Sequence, residues 1–103
     1  MSGFAYVVRV TIEDAAVRAS FAAWLADRHV ADVCAAGALD AEIVAIDGAP
    51  SIEVRYRFAS RDAFAAYERD HAPRLRADGI AALGGAQASF ARSTGDVIPW
   101  RRS

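Results

Sequence analysis

Lysine and asparagine are missing from this 103-residue chain, and cysteine and methionine occur once each. All twelve basic residues are arginines, set against thirteen acids for a net charge of -1, so the clustered positive charge that phosphate backbones require is not present. Arg101 and Arg102 beside Trp100 form the one adjacent basic pair, and nucleic acid is excluded as an expected partner. A single cysteine, Cys34, allows no internal disulfide and gives no support to an oxidising compartment. The first twelve residues place Arg9 inside an apolar run and lack the basic start and long apolar core of a signal peptide. No stretch approaches the roughly 20 apolar residues of a membrane span. The expectation is a cytoplasmic protein that does not engage a membrane.

A hydrophobic fraction of 54% with 24% charged residues describes a globular chain, and its length suits one domain over residues 1–103. An isolated domain of this size buries only about two thirds of its unfolded surface, so pairing with a second copy would help it. Phe4 to Ile12 is rich in aromatic and β-branched residues and reads as a strand. Thr11 or its neighbours can cap the helix that follows, in which Val17, Phe21, Trp24 and Leu25 recur at helical spacing. That helix is expected to end at His29, with one further short turn from Val30 closed by Gly37. Ala38 to Ile46 and Ser51 to Ala59 alternate as strands around the turn Asp47-Gly48-Ala49-Pro50, which predicts a hairpin.

Ser60 then caps a helix carrying Phe64, Tyr67 and His71 on one face. Pro73 should stop it near His71 and restart it, until Gly84-Gly85 ends the second segment. A last strand is placed at Ala86 to Arg92, with Phe90 inward and an extension past Gly95 left open. Phe21-Ala22-Ala23-Trp24 and Phe64-Ala65-Ala66-Tyr67 echo one another, each followed by a histidine; the offset is 43 residues for the aromatics and 42 for the histidines. The order strand, helix, strand, strand, helix, strand predicts an α+β, ferredoxin-like βαββαβ fold: a four-stranded antiparallel sheet with helices on one face. The bare face of such a sheet is expected to meet a second subunit as a homodimer.

The spacing Trp24, His29, Asp32, Val33, Gly37, followed by Tyr67, His71-Ala72-Pro73, Leu75-Arg76 and a late Gly-Gly, resembles a short bacterial family of uncharacterised proteins in the dimeric α+β barrel superfamily. The resemblance runs from Phe4 to Ile98. It implies a ligand pocket between sheet and helices in each subunit, on a fold shared by cofactor-free monooxygenases, haem-degrading monooxygenases, isomerases, polyketide cyclases and stress-response proteins. The haem-degrading members look for an Asn, Trp and His set, and this chain has no asparagine and no tryptophan on its second helix.

His29 and His71 are the only histidines, and imidazole is the side chain whose ordinary pKa lies near neutrality. Placed at helix C-termini they would favour the imidazolium, and they are the candidate acid and base, with Tyr67 as orienting hydroxyl. The competing reading is that both bond helix-end carbonyls. Trp24, Tyr6 and Tyr56 are candidate ligand-lining aromatics, against the alternative that they are plain core. Arg74, with Arg76, is a candidate anion contact or else a solvated helical face. His29-x-x-Asp32-x-Cys34 matches no zinc spacing, and no metal is expected. Neither a phosphate-loop nor a nucleophile-elbow motif occurs, and no cofactor is expected. The leading expectation is a small, aromatic or polyketide-like ligand in a cofactor-independent isomerase, cyclase or monooxygenase. The alternative is a non-catalytic stress-response or ligand-sequestering dimer with structural histidines.

Overall fold

The computed structural model describes residues 3–102. Along them run β1 (Phe4–Thr11), α1 (Ala15–Trp24), a π turn (Leu25–His29), α2 (Val30–Ala35), β2 (Asp40–Ala45), β3 (Ser51–Phe58), α3 (Arg61–Asp70), α4 (Ala72–Leu83) and β4 (Ser89–Asp96). The strands form one sheet in the order β2-β3-β1-β4, antiparallel at every junction. This is the α+β, ferredoxin-like βαββαβ arrangement.

Register assigns the two sheet faces. Phe4, Tyr6, Val8 and Val10 of β1 stand opposite Phe58, Tyr56, Val54 and Ile52 of β3, and because side chains alternate with period two they share the face that the helices cover. On the other side of β1, Val10 and Val8 pair with Phe90 and Arg92 of β4, which carries the same face to the sheet edge. The opposite face is polar: Arg9 pairs with Glu53 at 3.4 Å, Glu53 and Glu42 both hold Arg55, at 2.9 and 3.2 Å, and Arg57 reaches Asp40 at 2.6 Å. Such exposed pairs contribute about 0–1 kcal/mol each, so they order the face more than they stabilise the fold.

Much of the single buried core is aromatic. Phe64 of α3 meets Phe4, Tyr6, Phe58 and Tyr67 with ring centroids 4.9 to 5.9 Å apart, in tilted and edge-on arrangements. These geometries suit aromatic quadrupoles, and Phe58 is fully buried beneath them. Local chemistry fixes the helix ends. The Ser60 hydroxyl accepts from the Ala63 amide at 3.0 Å, α4 has Pro73 in its first turn, and Gly84 closes it at φ +59°.

Several boundaries differ from the sequence-based expectations. The cap of α1 is Asp14, which accepts from the Val17 amide at 3.0 Å, while Thr11 shares a 2.8 Å hydrogen bond with Ser51 across β1 and β3. The strand geometry of Thr11 commits its hydroxyl to that neighbour. β4 lies at Ser89–Asp96: it starts later than Ala86 and takes the extension past Gly95 that the sequence left open, because the whole of β1 is available as its partner. The first helix does not end at His29; it widens into the π turn and continues as α2. No helix among the described residues is long and apolar enough to cross a membrane.

Candidate functional site

Beside the aromatic core the helices stand off the sheet and enclose a cavity of about 260 Å³. Its floor is the covered sheet face, including Tyr6, Val8 and Tyr56, with Phe90 and Arg92 from β4. Its roof comes from three helical segments: Phe21 and Trp24 of α1, Leu25 and His29 of the π turn, and Leu75, Arg76, Gly79 and Ile80 of α4, with Tyr67 entering from α3. Gly79 helps to keep the space open. It is buried in the middle of α4, and a Cβ built on it would meet Trp24 Cη2 at 3.9 Å.

The π turn places the histidine. Trp24 and His29 are five residues apart, which in a regular α-helix is a rotation of about 140° and sends the two side chains to different sides. A π turn hydrogen-bonds i to i+5, as the Val30 amide does to the Leu25 carbonyl here, and so makes residues at this spacing neighbours. The two rings stack, centroids 4.6 Å apart and 22° from parallel.

Burial governs the electrostatics. Desolvation lowers the pKa of His29 from its ordinary 6.5, partly opposed by the charges of Asp32 and Asp78. Burial thus favours neutral imidazole, opposite to the imidazolium expected for a histidine at a helix C-terminus, and the helical run in fact continues past His29 into α2. Burial, reinforced by Tyr6, pushes Tyr67 up to about 12. Burial likewise raises Tyr56, with Tyr67 and Tyr6 adding to it. Both remain neutral phenols able to donate a hydrogen bond. Arg76 donates through Nη2 to the Tyr6 hydroxyl at 3.2 Å and to Glu68 at 2.5 Å. Among the described residues two buried side-chain nitrogens have no hydrogen-bond partner in the protein, Nδ1 of His29 and Nε of Arg76. Both residues line this one cavity.

Of the residues singled out by sequence, the structure gathers His29, Tyr67, Trp24, Tyr6 and Tyr56 around the cavity. His71 and Arg74 lie elsewhere. They border a shallow surface depression with Asp32, where Arg74 Nη2 and His71 Nδ1 are 3.1 Å apart. Among the described residues no group of three or more His, Cys, Asp or Glu side chains could hold a metal ion. Sequence reasoning missed Arg92 and Gly79 and treated Arg76 only as a companion of Arg74. The signals existed. Arg92 is two residues beyond the inward-facing Phe90, so alternation puts it on the same face, and a glycine in a helix interior is costly enough to suggest a packing reason.

Residues 4–96 match the family described as a domain of unknown function, DUF4286. The chain belongs to that family. No protein of curated function matches it. Solved structures with the same fold include a dimeric ferredoxin-like protein from an uncultured marine organism, at TM-score 0.73 and 12% identity over 98% of this chain and 99% of that one. SnoaB, a cofactor-independent oxygenase from Streptomyces nogalater, matches at TM-score 0.69 and 18% identity over 100% and 97%. A monooxygenase from the gene ActVA-Orf6 of Streptomyces coelicolor, in complex with the ligand nanaomycin D, matches at TM-score 0.64 and 19% identity over 96% and 94%. At these identities the likeness is one of fold.

Proposed function

We propose that this family member binds a compact, flat aromatic molecule in the cavity and that neutral His29 removes a proton from it. The observation that carries the proposal is a half-buried imidazole whose Nδ1 is buried and unpartnered, on the wall of an aromatic cavity. At the density of protein interiors, about 260 Å³ accommodates roughly ten to fifteen non-hydrogen atoms. Trp24, Phe21 and Phe90 supply ring faces, and the Tyr67 and Tyr56 hydroxyls supply donors. A phenolic O–H or an activated ring C–H gives its proton to the imidazole, which becomes imidazolium. The negative charge left on the ligand accepts hydrogen bonds from the tyrosines. Return of the proton at another carbon gives isomerisation. Alternatively molecular oxygen, the oxidant, adds to the carbanion to form a peroxide, the imidazolium returns its proton to it, and loss of water leaves a carbonyl; this is oxygenation without a cofactor, the activity named for SnoaB. His71, which borders the outer depression, has no part in this step.

The same reading includes a homodimer formed through the open sheet face. The arginine and carboxylate rows there alternate in sign, as a self-complementary surface requires, and the marine ferredoxin-like protein of this fold is dimeric.

4-Nitrophenol tests the chemistry, because its phenolate absorbs visibly and its phenol does not. In a Trp100→Phe background, where Trp24 is the sole tryptophan, binding is followed by Trp24 fluorescence. At pH 6 the native cavity should hold a larger share of the bound ligand as phenolate than His29→Gln does, since His29 is the one histidine on its wall. Undisturbed Trp24 emission, or equal phenolate in both proteins, contradicts the proposal.

A further inference from the structure

The cavity wall is one-sided in charge. Arg76 and Arg92 line it, and no aspartate or glutamate does. Glu68 offsets Arg76 from outside, through Nη2, and leaves Nε–H buried with no acceptor. Arg92 takes part in no ion pair among the described residues; its guanidinium lies over the Phe90 ring, 5.3 Å from the centroid. With Glu68 counted against Arg76, one positive charge remains uncompensated. Arg92 and Ile80 are exposed and Arg76 is half-buried, whereas the tyrosines of the cavity are buried, so the arginines mark the side on which the cavity meets solvent.

A neutral aromatic molecule entering here would strip water from Arg92 and leave the Arg76 Nε–H without an acceptor, and a buried donor without a partner is costly. A ligand with a carboxylate removes both costs. Guanidinium is a planar fork matched to that group, and hydrogen bonds between ionised partners are about twice as strong as neutral ones. Tyr6 adds a hydroxyl already oriented by Arg76 at 3.2 Å.

We infer that the ligand is an aromatic carboxylate, its ring between Trp24 and the sheet and its carboxylate held at the cavity mouth by Arg92 and Arg76. This rests on the cavity being the binding site, and it adds the substrate class. The carboxylate end fixes which ring atoms are carried inward to His29, so the arginines set orientation as well as affinity.

The test uses the full chain with Trp100→Phe and compares 1-naphthoate with 1-naphthamide, which have nearly the same shape and differ in charge. By Trp24 fluorescence, naphthoate should bind at least about tenfold more tightly than the amide. Arg92→Gln should remove most of that preference by weakening naphthoate far more than the amide. Arg92 is exposed, so an unchanged melting temperature in this variant confirms that folding is not the cause. Equal affinities for the two compounds overturn the carboxylate assignment while leaving the cavity as the site. A preference that survives Arg92→Gln overturns the role of Arg92. If neither compound perturbs Trp24, the cavity reading and the inference fall together.

Discussion

Replacing Gly79 by alanine sets stability against binding at a single atom. Gly79 is buried within α4, where glycine costs about 0.8–1.0 kcal/mol relative to alanine through backbone entropy. The added Cβ would lie 3.9 Å from Trp24 Cη2, an ordinary contact with no strain, and a newly packed methyl adds up to about 0.8 kcal/mol. Gly79→Ala should therefore stabilise the protein by about 1–2 kcal/mol, and for a domain of this size each 1 kcal/mol raises Tm by roughly 4–8 °C. The same methyl, close in size to a water molecule with its share of roughly 30 Å³, occupies about a tenth of the 260 Å³ cavity. It crowds any ligand that fills the space, at a cost of about 1–3 kcal/mol. Thermal denaturation by circular dichroism and naphthoate titration of the same sample read the two effects together. A lower Tm would mean that the backbone at position 79 cannot accept a side chain. Unchanged affinity alongside a higher Tm would mean that the ligand does not occupy the space beneath Gly79, and that the glycine is not there for binding.

The pH dependence of stability tests the neutral state of His29. Its folded pKa lies below the ordinary 6.5, so below that pH the unfolded chain binds the extra proton and stability falls as pH drops, until the folded form also protonates. His29→Phe should flatten the fall in Tm between about pH 7 and 5 relative to the native protein; an identical slope in both would show that the group titrates normally. Phe64→Ala removes the hub of the aromatic cluster and should cost about 3–5 kcal/mol by urea unfolding, whereas a loss below about 1 kcal/mol would place the core elsewhere. Val7 lies on the open sheet face opposite Arg55 and Ser93. The native chain should sediment at twice its 11.0 kDa mass and Val7→Glu at the single mass; native protein that sediments as a monomer at high concentration would remove the open face as an interface.

The features legible in the sequence are those decided within a few residues or by strict alternation. Ser60 caps α3 through its own hydroxyl. Gly48 at φ +75° turns the hairpin, and the period of two along Ser51–Phe58 fixes which side of β3 is buried. The start of β4 was not legible and its end was left open, since both depend on how far β1, some eighty residues away, offers hydrogen bonds. Thr11 reads equally well as a cap or a strand residue, and only its cross-strand neighbour Ser51 decides between them. The candidate site was half legible for the same reason. Aromatic positions follow from periodicity, but the charge of His29 depends on the burial created by α4 and the sheet together.

The echo between the two halves is informative in its mismatch as well as in its match. Tyr67 and His71 are four residues apart, the spacing that puts two side chains on one face of an α-helix, while Trp24 and His29 are five apart, although His29 follows Leu25 by four and Phe21 by eight and so is expected to close the inward stripe. The structure moves His71 off that face and lays His29 against Trp24, in both cases through the backbone. At His71 the chain leaves helical geometry, φ −130° and ψ −35°, before Pro73 opens α4, and the imidazole borders the outer depression with Arg74. In the first half the π turn absorbs the additional residue and lays His29 against Trp24 in the cavity wall. The one-residue difference between the 43- and 42-residue offsets thus marks the place where the first helix accommodates an insertion without breaking. π turns of this kind cost hydrogen-bond geometry and occur frequently at functional sites. The irregularity that confounds a periodicity argument is therefore also the feature that separates the cavity histidine from its counterpart on the surface.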